Sequence, residues 1–169
     1  MPAAWKAEGA ARILIAGVGY RNLRDMSLGP VLIERLGQEG WPLGVEIDDL
    51  SYGPIGVMHS LDERPLYDRI IFVAGVNRHR HPGQVYCYRW PHVLPDPEDI
   101  QARVAEAVAG VISLDNLLII LTYFGKLPQD VVIIEVEVAD EGWGEGFTAQ
   151  VERAIPQVME TIRRQVRGL

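Results

Sequence analysis

The stretch from Arg12 to Leu36 limits most sharply what this chain can fold into. Ile13, Leu14, Ile15 and Ala16 form an unbroken apolar run, the pattern of a strand covered on both faces. Gly17 and Gly19 break the run, and a polar loop follows. Leu28, Val31, Leu32, Ile33 and Leu36 then recur at helical spacing. Pro30 suits the first turn of that helix, where a missing N–H does no harm, and Gly37 and Gly40 end it. In an open α/β sheet, the loop leaving the carboxyl end of a strand is where ligands sit. The glycines do not make a dinucleotide fingerprint: Gly29 follows Gly19 by ten residues, where that motif needs three.

The remaining segments alternate in the same way. Leu43 to Ile47 reads as a strand that runs out at Asp48 and Asp49, and residues 52–61 as a glycine-rich loop with a single helical turn. Arg69 to Ala74 is the clearest buried strand. It leads into a polar loop, Gly75 to Pro82, that carries Asn77, Arg78, His79, Arg80 and His81. Val85 to Arg89 reads as a strand at or near a sheet edge. Asp96, Pro97, Glu98 and Asp99 are a cap, a first-turn proline and first-turn acids. They start a helix with small apolar residues at Ala102, Ala105, Val108 and Ala109 that Gly110 stops. Ser113 caps the next helix, whose apolar face is Leu114, Leu117, Leu118, Leu121 and Phe124. A strand over Val131 to Val138, a loop, and a helix capped by Thr148 complete the chain. The order predicts an α/β fold, a three-layer α/β/α arrangement with a mainly parallel sheet. At 169 residues the expectation is one domain over 11–169, preceded by a loose arm at 1–10.

Composition narrows the partners. A net charge of −7 argues against nonspecific nucleic-acid binding, which needs a basic footprint. The one cysteine, Cys87, rules out an internal disulfide and a cysteine-rich zinc site, and it reads as a packed small hydrophobe. No apolar run approaches the roughly 20 residues of a membrane span, and the N-terminus lacks a secretory h-region, so a cytoplasmic protein is expected. His79 and His81 alternate along an extended loop, so both imidazoles could face one metal; the bland reading is a solvated loop. Asp48 and Asp49 are candidate acid/base groups, though loop carboxylates are more often simply solvated.

Taken together, the segments resemble the [NiFe]-hydrogenase maturation endopeptidases. Gly17, Gly19, Leu23, Asp25 and Gly29 stand in the frame of that family's opening motif, with Leu23 one place late. Leu114 to Leu118 followed by Phe124 to Pro128, the Pro82–Gly83 pair, and Glu145 to Thr148 resemble its later segments. The resemblance implies a five-stranded sheet between helices and an enzyme that trims the C-terminal peptide of a hydrogenase large subunit. It also implies that nickel in that substrate is read by three side chains: an acid in the first loop, an aspartate after the third strand, and a histidine before the middle helix. Here those positions fall on Met26, Ala74 and Gly110, with Val73 the alternative for the second. Methionine sulfur is a soft, weak ligand, and the others offer no side-chain donor.

The expectation is therefore a hydrogenase maturation protease-like protein without the family's nickel-reading site, holding no metal and no cofactor. Its partner is a hydrogenase large subunit or another protein, with no nucleic acid and no membrane. Asp25, Met26, Asn77, His79 and His81 are the candidate substrate-binding residues. One alternative is a working endopeptidase with a relocated metal site built from Asp25, Asn77, His79 or His81. A second is a non-catalytic binding or chaperone-like module that uses Trp41, Trp90, Trp143 or Phe147. A third is a small-molecule enzyme that uses Asp25, Asp48 or Asp49.

Overall fold

The computed structural model describes residues 9–169; the expected loose arm lies outside the described residues except for its last two positions. Its elements run β1 (Ile13–Val18), α1 (Leu28–Leu36), β2 (Val45–Asp49), α2 (Pro54–Asp62), β3 (Arg69–Val76), β4 (Val85–Arg89), α3 (Pro97–Val108), α4 (Leu114–Tyr123), β5 (Asp130–Glu137) and α5 (Ala149–Arg167). A short 3₁₀ turn at Arg24–Ser27 precedes α1. The five strands lie in the order β2-β1-β3-β5-β4; all pairs are parallel except β4 with β5.

Side-chain alternation along the two central strands sorts the core into two layers. Ile13, Ile15, Ile71 and Val73 face α1 and α5, and they pack with Leu28, Leu32, Val158 and Ile162. Leu14, Ala16, Ile70 and Phe72 face α2 and α4, and they pack with Val57, Leu117, Leu118 and Leu121. This is the predicted three-layer arrangement with a mainly parallel sheet of five strands. Gly29 lets α1 lie directly on β1: a Cβ there would stand 2.4 Å from the Val18 backbone.

The structure departs from the sequence reading at several places; Phe124, expected on the apolar face of α4, lies just past its end and is exposed. Residues 54–62 form a two-turn helix rather than a single turn, because Val57 is fully buried against the sheet and Pro54 occupies the first turn. The expected apolar face of α3 is not a core face. Ala102, Ala105, Val108 and Ala109 are all exposed, and Ala107 alone is buried, because α3 packs chiefly on α4 and α2. Asp96 and Ser113 do cap α3 and α4, accepting from Asp99 N at 3.0 Å and Asn116 N at 3.1 Å. Thr148 stands at the start of α5 without capping it, since its hydroxyl donates elsewhere.

Asn116 is fully buried on α4, and neither atom of its amide has a hydrogen-bond partner among the described residues. An unpaired buried amide costs about 1–3 kcal/mol. Asn116→Leu, which keeps the branching and number of side-chain heavy atoms, should raise stability by about 1–2 kcal/mol in urea unfolding. A loss of stability instead would mean that the amide is held by an ordered water.

Candidate functional site

The parallel strands end together, and the loops after β1, β3 and β5 meet there. One carboxylate joins two of them. Asp25 is fully buried. Its Oδ2 accepts from Ala139 N at 2.9 Å, Asp140 N at 3.1 Å and the Thr148 hydroxyl at 2.8 Å; its Oδ1 accepts from Thr148 N at 2.7 Å. The backbone repeats the tie, with Arg24 N donating to Gly144 O at 3.0 Å and Gly144 N to Asn22 O at 2.8 Å. Gly75 brings β3 into the same knot: a Cβ on it would stand 2.4 Å from Asp25 O. Tyr20 reaches the other side of the sheet, where its hydroxyl accepts from Ile112 N at 2.9 Å just before α4.

Beside this knot lies a cluster of buried charge. Glu135 and Glu137 extend the row of β5 side chains that faces α4, and each is 1% exposed. Two arginines from the loop after β3 neutralise them. Arg78 donates from Nε to both Glu135 oxygens at 3.1 Å and from Nη2 to Oε2 at 3.0 Å. The same guanidinium holds Asp115 at the start of α4 through Nη2 at 2.8 Å and Nη1 at 3.1 Å. Arg80 donates to Glu135 at 2.6 Å and Glu137 at 3.1 Å, and it stacks 3.6 Å from the centre of the Tyr86 ring. Tyr88 donates its hydroxyl to Glu135 at 3.3 Å. Burial, reinforced by the charge of Glu135, pushes the Tyr88 phenol up to about 12. Burial also works against the charged form of Glu137, but hydrogen bonds from the Arg78 backbone and from Arg80 outweigh it and hold this carboxyl below its ordinary value.

The structure gives the sequence candidates distinct places. Asp25 is a structural clamp, fully buried and saturated by four donors. Met26 is half-buried beside it. Asn77 is exposed; its amide donates to Glu141 at 2.7 Å, and its oxygen accepts from His79 N at 3.2 Å. His79 sits at φ +58° and, like His81, is exposed. Among the described residues no three His, Cys, Asp or Glu side chains converge on a metal position. Asp48 and Asp49 are taken up by Arg64 and Arg21. Ala74 is 2% exposed within β3, paired in register with Glu135. Gly110 has open space where a Cβ would stand. Of the aromatic candidates, Trp41 and Trp90 pack against the core, and their indoles donate to Leu36 O and the Thr122 hydroxyl. Trp143 projects from the last loop, 79% exposed. Phe147 is half-buried in a cleft of about 440 Å³ between the first loop, α1 and the last loop, whose rim carries Arg21, Glu34, Arg35 and Glu145. Cys87 is exposed on β4, not packed as the sequence reading held, because β4 is an edge strand.

Glu135, Glu137 and the partnership of Arg78 with Asp115 were not foreseen. A signal was present: acids at alternate positions of an otherwise apolar strand, matched by arginines at alternate positions of one loop.

The architecture defines a three-layer α/β/α protein whose candidate site is the rim at the carboxyl ends of β1, β3 and β5. Comparison with solved structures shows which proteins share this architecture. The chain matches a hydrogenase maturating endopeptidase, HybD, from E. coli, with 25% identity over 92% of both chains and a TM-score of 0.68. It matches a hydrogenase 2 maturation peptidase from a Thaumarchaeota archaeon with 22% identity, 92% of this chain, 97% of that one and a TM-score of 0.65. It also matches the [NiFe] hydrogenase maturation protease HycI from Thermococcus kodakarensis, with 18% identity, 95% and 96% coverage and a TM-score of 0.66. The chain is a structural relative of the hydrogenase maturation endopeptidases, as the sequence motifs suggested. No protein-family model matches it, and no curated protein sequence matches it.

Proposed function

We propose that this is a hydrogenase maturation protease-like protein that recognises a protein partner, a hydrogenase large subunit first among them, without the nickel-reading chemistry that the resemblance implies. The setting would be the cytoplasm; among the described residues no helix is long and apolar enough to cross a membrane. The observation that carries the reading is what stands at the three metal-reading positions. They are a half-buried thioether at Met26, a methyl group inside the sheet at Ala74 and an open backbone at Gly110. Binding without cleavage is the function this rim supports best, with Trp143 as an exposed aromatic anchor of the kind enriched at interfaces.

The test is to mix the purified protein with a large-subunit precursor, loaded with nickel or free of it. Complex formation is followed by size-exclusion chromatography and precursor length by intact mass. The expected result is a complex with both forms and an unchanged precursor mass, with Trp143→Ala weakening the complex by at least tenfold, about 1.4 kcal/mol. A shortened precursor would establish a working endopeptidase in its place. No complex with either form would remove the large subunit as partner.

A further inference from the structure

We propose that the free edge of β4 is a docking strip for an extended, acidic segment of a partner protein, which joins the five-stranded sheet there as a further strand. The backbone shows which groups are on offer. Gln84 O accepts from Glu137 N at 3.0 Å, and Trp90 N donates to Val131 O at 2.9 Å, so the even-numbered residues of β4 bond to β5. In an antiparallel pair such residues alternate with ones whose N–H and C=O point the other way. Those are Val85, Cys87 and Arg89, and among the described residues none of their backbone groups has a hydrogen-bond partner. The opposite edge of the sheet is closed by comparison. Of the outward donors of β2, Val45 N donates to Pro42 O at 3.2 Å and Asp49 N to Asp48 Oδ1 at 2.8 Å, which leaves Ile47 alone.

The side chains beside the strip set the chemistry of its occupant. Val85, Cys87 and Arg89 share the face toward α5, where Gln165 Nε2 lies 3.6 Å from Cys87 Sγ. That face is basic, although the chain as a whole carries −7. Arg69 and Arg89 divide one carboxylate, Asp130, between them. Arg164 pairs with no carboxylate among the described residues; its guanidinium reaches the Thr161 hydroxyl at 3.5 Å. Partial burial pushes the Cys87 thiol up, and the charges of Arg164 and Arg89 pull it back, so both stand near the middle of the strand. The other face of β4 offers Tyr86 and Tyr88, the latter 37% exposed. An added strand with carboxylates toward α5 and apolar side chains toward the tyrosines meets both faces. A second copy of this chain does not, because two-fold pairing would set the basic face against itself. In such strand addition main-chain bonds supply affinity, and alternate side chains supply selectivity. The strip is a sheet edge rather than the rim of the loops, and the inference stands whatever binds at the rim.

The test uses the full chain and a fluorescein-labelled peptide, Thr-Val-Asp-Val-Glu-Val-Thr, with a control peptide that carries lysine in place of both acids. Fluorescence anisotropy reads binding. The acidic peptide should bind and the lysine peptide should not, and added salt should weaken the complex. Cys87→Pro removes one outward N–H and leaves the ladder to β5 alone, at an edge where a strand admits proline. It should weaken binding about tenfold, the scale of one lost backbone hydrogen bond. Arg164→Glu, on the exposed side of α5, is the second variant and should weaken binding about fivefold, the scale of one exposed ion pair. Hydrogen exchange should show new protection at the Val85, Cys87 and Arg89 amides and no change at Ile47. No binding, equal binding of the two peptides, or unchanged affinity in both variants overturns the proposal. Dimerisation of the free chain that Cys87→Pro abolishes also overturns it and gives the edge to a second copy. These readouts need no hydrogenase subunit, so failure here is distinguishable from failure of the proposed function.

Discussion

Asp25→Ala should destabilise the protein by roughly 3–5 kcal/mol, because several donors lose their acceptor at once and each buried one left unpaired costs about 1–3 kcal/mol. Three backbone N–H groups and one hydroxyl lose their acceptor at once, around a side chain that is itself fully buried. At a few degrees per kcal/mol for a chain of this size, the melting temperature should fall by roughly 10 °C. Asp25→Asn should recover little, since one amide orientation turns donors on Thr148 N and the other turns them on Ala139 N and Asp140 N. Amide hydrogen exchange separates a local from a global effect. The N–H groups of Ala139, Asp140 and Thr148 should lose protection first, while the β3 amides keep theirs. A melting temperature within 2 °C of the native value, an order-of-magnitude threshold of about 1 kcal/mol, would refute the clamp.

Glu135→Ala should be nearly as costly, about 3–5 kcal/mol, because it leaves Arg78 and Arg80 confronting one another with half their acceptors gone. The double change Glu135→Leu with Arg80→Met should cost less than the single one, since replacing a buried pair by apolar side chains is often neutral. Chemical denaturation of the single and double variants decides the matter; equal losses would mean that the arginines relax into solvent without penalty. The same cluster sets an acid limit. Glu137 is held below its ordinary value, so its contribution is present above the unfolded carboxylate value of about 4.3 and is lost as the pH drops through the lower folded one. Arg80→Gln should raise that folded value and move acid unfolding to higher pH.

The layers, the order of the elements along the chain and the capped helices were readable because each rests on local sequence signals. Ile13 to Ala16 and Arg69 to Ala74 could hardly be anything but buried strands, and Asp96 and Ser113 announce their helices. The rim was less legible, because its logic is nonlocal. Asp25 lies more than a hundred residues from its four donors, and the first-loop motif in which it sits says nothing of Thr148. The histidines drew the eye in the loop after β3, yet the arginines between and beside them make the buried contacts. Hydrophobic spacing misled at α3, where small apolar residues lie on a helix whose neighbours are other helices. It undersold α2, whose length comes from packing of Val57 rather than from its glycines.

The clamp has a consequence for how such a protein changes over time. The residues that hold the loops together, Asp25 with Thr148 and Gly75, are different from the residues at which the family resemblance would put a ligand set, Met26, Ala74 and Gly110. Shape and chemistry are therefore written at separate addresses. A descendant of this platform can exchange what its rim recognises, or abandon a reaction altogether, and still inherit an intact mouth into which a new tenant fits.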